Sequence, residues 1–352
     1  MTFLNQKFQE LVPYTPGEQV DEESFIKLNT NESPYPPAPS VQAAVAEASQ
    51  TLNRYSDIAV EAVAKPLAEY LGVEQKQLFL GNGSDEVLSY LFQGFTEKGI
   101  AFPDVTYGFY QVYSGLYHVD ATVVPLKEDF SLELTDYDAL SGTVIFANPN
   151  APTGIYLSQT EICAFIEKHP ERLVIVDEAY IDFSGESMVS LINRYKNLMV
   201  VGTFSKSRQL AGARLGFGVG NAALIADMNR LRFSLNPYNI NSLTQAAGGA
   251  VLKEQAYVDE KIQETIRVRE WSKQELTALG FEQTDSQGNF LFARHPKMAG
   301  EALFQALRER KILVRWFNQP RTKEYLRITV GTQEQMEQLA AALRSILEEV
   351  KA

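Results

Sequence analysis

The chain has 352 residues, enough for a large domain and a smaller one, and its 45% hydrophobic and 11% aromatic content can fill a sizeable core. A net charge of −12 argues against a nucleic-acid partner, which needs a basic face, and no apolar run approaches the roughly 20 residues of a membrane span. The lone Cys163 and three histidines (His118, His169, His295), without His-Glu-x-x-His spacing, predict no internal disulfide and no metal site. The N-terminus lacks the basic-then-apolar pattern of a signal peptide, so a reducing cytoplasm is the expected setting.

Residues 1–40 are rich in Pro, Asn and Tyr with little periodicity, and read as an extended arm lying across another surface. The spacing of Val41, Ala44, Val45, Ala48 and Leu52 predicts an amphipathic helix over 41–52, and a second helix over 58–71 ends at Gly72. Strands and helices then alternate. Strands are predicted at 77–80, 143–147, 173–176 and 198–201, and helices at 87–95, 159–168 and 188–195. Strands that are apolar throughout, separated by helices, imply a sheet buried on both faces. After Asn236-Pro-Tyr-Asn-Ile-Asn-Ser242 the pattern changes: a long helical region over 242–279, strands at 289–293, 312–315 and 325–330, and a helix over 299–310. Thr332 and Gln335 form a capping box for a final helix. The expected organisation is an arm (1–40), a large α/β domain (41–240) with a mostly parallel mixed sheet flanked by helices, and a small α+β domain (241–352).

Four segments fall at strand ends, where open α/β sheets bind ligands. Gly81-Asn-Gly-Ser-Asp-Glu86 precedes a helix, so its glycines and first-turn amides can wrap a phosphate, with Ser84 inward and the Asp85 and Glu86 carboxylates turned away. A capped helix after a glycine turn is the commoner meaning of such a segment. Asn148-Pro-Asn-Ala-Pro-Thr-Gly154 makes a rigid turn in which a cis X-Pro bond is favoured. Asp177 ends the strand Leu173-Val-Ile-Val176 and can pair with a protonated ring nitrogen, with Tyr180 in reach of the same ligand; otherwise it caps a turn. Lys206 follows the strand at 198–201. A desolvated amine there is a nucleophile toward carbonyls, whereas an isolated strand-end lysine usually snorkels to water. Arg214, Arg315 and Arg327 can grip phosphates or carboxylates in bidentate fashion if they share a cleft. Gly216-Phe-Gly-Val-Gly220 reads as a glycine-rich strand and not as a dinucleotide fingerprint.

The order of these segments resembles the fold type I pyridoxal-phosphate-dependent aminotransferases of class I/II. Leu11-Val-Pro-Tyr-Thr-Pro-Gly17, Leu28-Asn-Thr-Asn-Glu-Ser-Pro34, Arg54-Tyr-Ser-Asp57, Thr106-Tyr-Gly-Phe-Tyr110 and Tyr325-Leu-Arg-Ile-Thr-Val-Gly-Thr332 resemble, within that superfamily, the histidinol-phosphate aminotransferases, over essentially the whole chain. The resemblance implies that Lys206 binds the aldehyde of pyridoxal 5'-phosphate covalently and acts as general acid–base, that Asp177 pairs with the pyridine nitrogen, and that Tyr180 hydrogen-bonds the phenolic oxygen. It implies that Tyr107 stacks on the ring and that Ser84, Asp85, Ser205 and Arg214 hold the phosphate. Tyr55 would reach that phosphate from the other subunit of a homodimer, and Tyr14, Arg315 and Arg327 would hold the anionic end of the substrate. The implied reaction moves an amino group between L-histidinol phosphate and 2-oxoglutarate, giving imidazole acetol phosphate and glutamate, in histidine biosynthesis. Rival readings on the same scaffold are an aromatic amino-acid aminotransferase and a decarboxylase of a phosphorylated amino acid. A non-catalytic regulatory module and a nicotinamide dehydrogenase fit the intact lysine and the missing fingerprint less well. One position departs from the superfamily pattern: the Asn that usually precedes Pro-Thr-Gly and bonds the phenolic oxygen is Ala151, which leaves Asn150 as the candidate replacement.

Overall fold

A computed structural model gives the fold of residues 3–19 and 24–349. Seven strands form the main sheet: β1 (Leu78–Asn82), β2 (Ile100–Pro103), β3 (Ala121–Val124), β4 (Thr143–Ala147), β5 (Val174–Asp177), β6 (Leu198–Thr203) and β7 (Leu215–Gly220). Their spatial order is β1-β7-β6-β5-β4-β2-β3. All pairings are parallel except those of β7, which runs antiparallel to both β1 and β6. Every residue of β4, β5 and β6 is buried, because apolar clusters cover both faces of the sheet.

The helices that bear on the site are α1 (Pro39–Ala48), α2 (Glu61–Leu71), α3 (Gly83–Gly94), α4 (Phe109–Tyr117), α5 (Gln159–Lys168), α6 (Ala222–Leu235), α7 (Ser242–Val251) and α8 (Gln255–Ala278). The helix predicted over 41–52 ends in a 3-10 turn at Ser49–Thr51, and Leu52 lies exposed instead of on the buried face. The helix predicted over 188–195 is only a 3-10 turn, Met188–Leu191. The helical region over 242–279 breaks into α7 and α8 around Leu252–Glu254. Strands β2 and β3 and helices α4 and α6 are not among the elements expected from the sequence.

The second body has its own core, which includes Leu28, Val268, Leu276, Leu291, Leu326 and Leu343. Its antiparallel sheet sets β9 (Leu326–Thr329) between β8 (Phe290–Arg294) and the short strand Arg315–Trp316. The capping box at Thr332 is formed: the Gln335 side chain accepts from the Thr332 amide at 2.9 Å, and the Thr332 hydroxyl from the Gln335 amide at 3.3 Å. The two core clusters divide within α8. Ala247, Val251, Val258 and Ile262 belong to the large core, and Val268 and Leu276 to the small one. Residues 26–28 of the arm run along the second body. Ile26 and Lys27 pair in parallel with Ile312 and Leu313, and the Thr329 amide donates to the Leu28 carbonyl at 2.9 Å.

Candidate active site

The antiparallel course of β7 explains how the site is assembled. Its first residue lies at the same sheet edge as the last residues of β1, β5 and β6, so Arg214 arrives beside Ser84 and Asp85, Asp177, and Ser205 and Lys206. These six residues line one pocket with Tyr107, Tyr180 and Ala151. Gly216 makes the close approach possible: a Cβ there would sit 2.2 Å from the Ser84 backbone nitrogen. A Cβ on Gly83, whose φ is +78°, would meet the Arg214 guanidinium at 2.6 Å.

Asp177 is buried at the end of β5, where its carboxylate accepts from the Tyr110 hydroxyl at 2.8 Å and the Ala179 amide at 3.2 Å. Desolvation pushes it up to about 6, against the pull of those two donors. A buried carboxylate so placed favours a cationic partner. Asp85 does not turn outward as the sequence suggested. Its two oxygens accept from the Tyr107 hydroxyl and from Arg214, each at 2.7 Å, and these partners balance its charge within the pocket. Glu86 does turn away, toward the Asn82 amide and the Asn239 side chain. The Lys206 amine makes one long contact, 3.4 Å to the Thr30 carbonyl, and lies 5.7 Å from the Tyr180 ring centre. Thus an amine with little to hold it, a buried carboxylate and an arginine at a helix N-terminus share one pocket. They fit a phosphorylated aromatic aldehyde whose ring nitrogen can be protonated.

The pocket opens on a cleft of about 540 Å³ lined by Tyr14, Tyr107, Ala151, Arg315, Phe317 and Arg327, among others. Arg327 donates to the Asn29 carbonyl at 2.8 Å, while its buried Nε has no partner among the described residues. Burial lowers its pKa, the direction expected of a guanidinium awaiting an anion. Arg315 binds the arm through the Thr15 and Pro16 carbonyls, at 2.9 and 3.0 Å. Tyr14 stacks on Phe109 with ring centres 4.3 Å apart.

Two candidates lie elsewhere. Asn150 does not line the pocket: its amide donates to the Val105 carbonyl and the Thr153 hydroxyl, and its oxygen accepts from Thr106, so it braces the turn whose Asn148–Pro149 and Ala151–Pro152 bonds are both cis. Tyr55 projects from the surface, 83% exposed, stacked on Tyr238 at 4.5 Å. Sequence reasoning missed Tyr110 and Asn31, which hold Asp177 and Tyr180 respectively. The spacing of Tyr107 and Tyr110 at the start of α4 was the available signal for the first. Nothing local marks the second.

The family described as aminotransferase class I and II matches residues 23–343. The chain is therefore a class I and II aminotransferase, in agreement with its mixed sheet and lysine pocket. It is 46% identical over 351 residues to a histidinol-phosphate aminotransferase of Marinomonas sp., covering 98% of this chain and 99% of the relative. It is 44% identical over 348 residues to histidinol-phosphate aminotransferase 1 of Hydrogenovibrio crunogenus, covering 98% of each. The chain belongs to the histidinol-phosphate aminotransferase family. The solved structure of that enzyme from Sinorhizobium meliloti, in complex with pyridoxal-5'-phosphate, shares its fold with a TM-score of 0.89, at 22% identity and 99% coverage of both chains.

Proposed function

We propose that the protein is a pyridoxal-phosphate-dependent transaminase that moves the amino group of L-histidinol phosphate to 2-oxoglutarate, giving imidazole acetol phosphate and glutamate. The observation that carries this reading is one pocket holding Lys206, Asp177 and Arg214, continuous with a cleft in which the buried Arg327 Nε lacks a partner among the described residues. The cofactor, when bound, supplies an electron sink for negative charge developing on the substrate α-carbon. Asp177 would pair with the ring nitrogen and keep it protonated. Arg214, Ser205 and the first-turn amides of α3 at Ser84 and Asp85 would hold the phosphate. Tyr107 would stack on the ring, and Tyr180 would donate to the phenolic oxygen.

Lys206 would hold the cofactor by its aldehyde, and its amine, when neutral, would take the proton from the substrate α-carbon. Arg327, Arg315 and Tyr14 orient the substrate by its anionic end. A phosphate monoester and a dicarboxylate both suit two guanidinium groups, so one cleft serves both halves of the reaction. Tyr55 does not line its own pocket, and it stands exposed in a stack with Tyr238, with Phe233 and Leu235 also exposed. This supports a homodimer in which Tyr55 reaches the phosphate of the partner subunit. No helix among the described residues is long and apolar enough to cross a membrane, and we assign the protein to the cytoplasm.

Purified protein incubated with pyridoxal 5'-phosphate should gain a visible absorption band that borohydride abolishes. Lys206→Ala should lose turnover by about 10²–10⁴-fold or more. Single-turnover amino transfer from histidinol phosphate should outpace that from phenylalanine, with no decarboxylation of threonine phosphate. Absence of the band overturns the cofactor assignment; preference for phenylalanine overturns the substrate.

A further inference from the structure

Asn31 enters the site from the arm and meets Tyr180 in one orientation. It is 1% exposed, with φ at +55°. Its Oδ1 accepts from the Thr329 hydroxyl at 3.1 Å, its backbone N–H donates to that same hydroxyl at 2.9 Å, and its carbonyl accepts from the Asn289 amide at 3.1 Å. With the oxygen end engaged by Thr329, the Nδ2 end faces the Tyr180 hydroxyl at 3.0 Å and must be the donor. A phenol carries one proton. Tyr180 therefore accepts from Asn31 and keeps its own proton, and no acceptor for it is found among the described residues. Tyr180 and Ala151 line the same pocket, and Ala151 has no side-chain donor to offer there.

Resting on the functional reading above, we propose that Asn31 is a positioning residue: by occupying the Tyr180 oxygen as an acceptor, it commits the Tyr180 proton to the phenolic oxygen of the bound cofactor, the bond for which Ala151 supplies no donor. Donation into the phenol oxygen also polarises its O–H and strengthens the outgoing bond. The same stretch of arm anchors Arg327 through the Asn29 carbonyl, so the backbone that holds the anion-binding arginine and the side chain that sets the cofactor's donor stand two residues apart on the arm.

The test is the pKa of the visible band of the cofactor-loaded protein. A donor to the deprotonated phenolic oxygen lowers that pKa, and its loss raises it. Asn31→Asp keeps the shape but replaces the donor with an acceptor, which draws the Tyr180 proton away from the pocket. The band pKa should rise by about one pH unit. In a Tyr180→Phe background the same substitution should add little. The ionisable groups facing Tyr180 are Lys206, Tyr14, Tyr107, Tyr110 and Arg327, with Asp177 and Asp85 on the same pocket wall; they are present in both backgrounds and cancel in the comparison.

Equal rises with and without the Tyr180 hydroxyl would mean that the new charge acts directly, and would overturn the proposal. Thr329→Val removes the hydroxyl that orients the amide and should give a smaller rise, again only when Tyr180 is present. It keeps the test decisive if Asn31→Asp does not fold. Adding Ala151→Asn to Asn31→Asp should return the pKa toward the wild-type value, and no return counts against the proposal. A wild-type protein that shows no visible band with pyridoxal 5'-phosphate would refute the functional reading itself.

Discussion

Adjacent acids at the end of β5 serve opposite faces of the sheet. Asp177 lines the pocket, while Glu178 points to the other side, where its carboxylate accepts from the Met188 amide at 2.7 Å and from the Ser187 hydroxyl at 2.5 Å. Desolvation outweighs these two donors and raises Glu178 from 4.5 to about 8. A carboxyl whose folded pKa exceeds its unfolded value binds its proton more tightly in the fold. Its stabilising contribution is therefore complete below pH 4.5 and is lost as the pH rises through 8. Glu178→Gln, which keeps an acceptor for Met188, should remove that loss. Its melting temperature should exceed the wild-type value at pH 9 and approach it at pH 5, reflecting a stability difference at pH 9 on the order of a few kcal/mol. A constant offset at both pH values would contradict the burial argument. Glu178 is not part of the proposed machinery, so turnover should survive the change.

At the scale of elements, β7 is the part on which the pocket depends. Its reversed direction delivers Arg214 to the carboxyl edge, and Gly216 lets it pass against the first turn of α3. Gly216→Ala puts a methyl group into backbone atoms that cannot yield, so α3 and β7 must part. The expected cost is about 1–3 kcal/mol in stability, seen as a lowered melting temperature, with weaker uptake of pyridoxal 5'-phosphate in a titration. Gly212→Ala is the control, because nothing lies within 4 Å of its added methyl. If both variants bind cofactor alike, the close approach does not matter to the cradle. Helices α7 and α8 differ in what they pack against along their lengths. Helix α7 packs tightly on α1 and α2, where a Cβ on Gly249 would meet the Ala62 carbonyl at 2.6 Å, whereas α8 leaves the large core for the small one.

For the whole molecule, the proposed dimer makes a prediction that a monomer cannot satisfy. Lys206→Ala and Tyr55→Ala variants, each inactive or weak alone, should regain activity when their subunits are exchanged, because half of the mixed dimers' sites combine a native lysine with a native partner tyrosine. Random mixing would restore about a quarter of wild-type activity. Activity no greater than the sum of the separate variants would exclude a trans role for Tyr55. Much of this protein was legible in its sequence. The apolar runs at 143–147, 173–176 and 198–201 announced a sheet buried on both faces, because a strand with no wet side needs no polar alternation. The pocket lysine, aspartate and arginine were legible because each lies at a strand terminus, where chain order maps onto space. Asn150 was misplaced because side-chain chemistry says nothing about which way a turn faces, and the bonds to Val105, Thr106 and Thr153 decide that. By itself the sequence determined the sheet, the site's location at its edge and the chemistry of its charged groups, all set by local pattern. Only the tertiary structure decided that Asn31 orients Tyr180 and Tyr110 holds Asp177, because those bonds join residues 149 and 67 positions apart, and only packing brings them within reach.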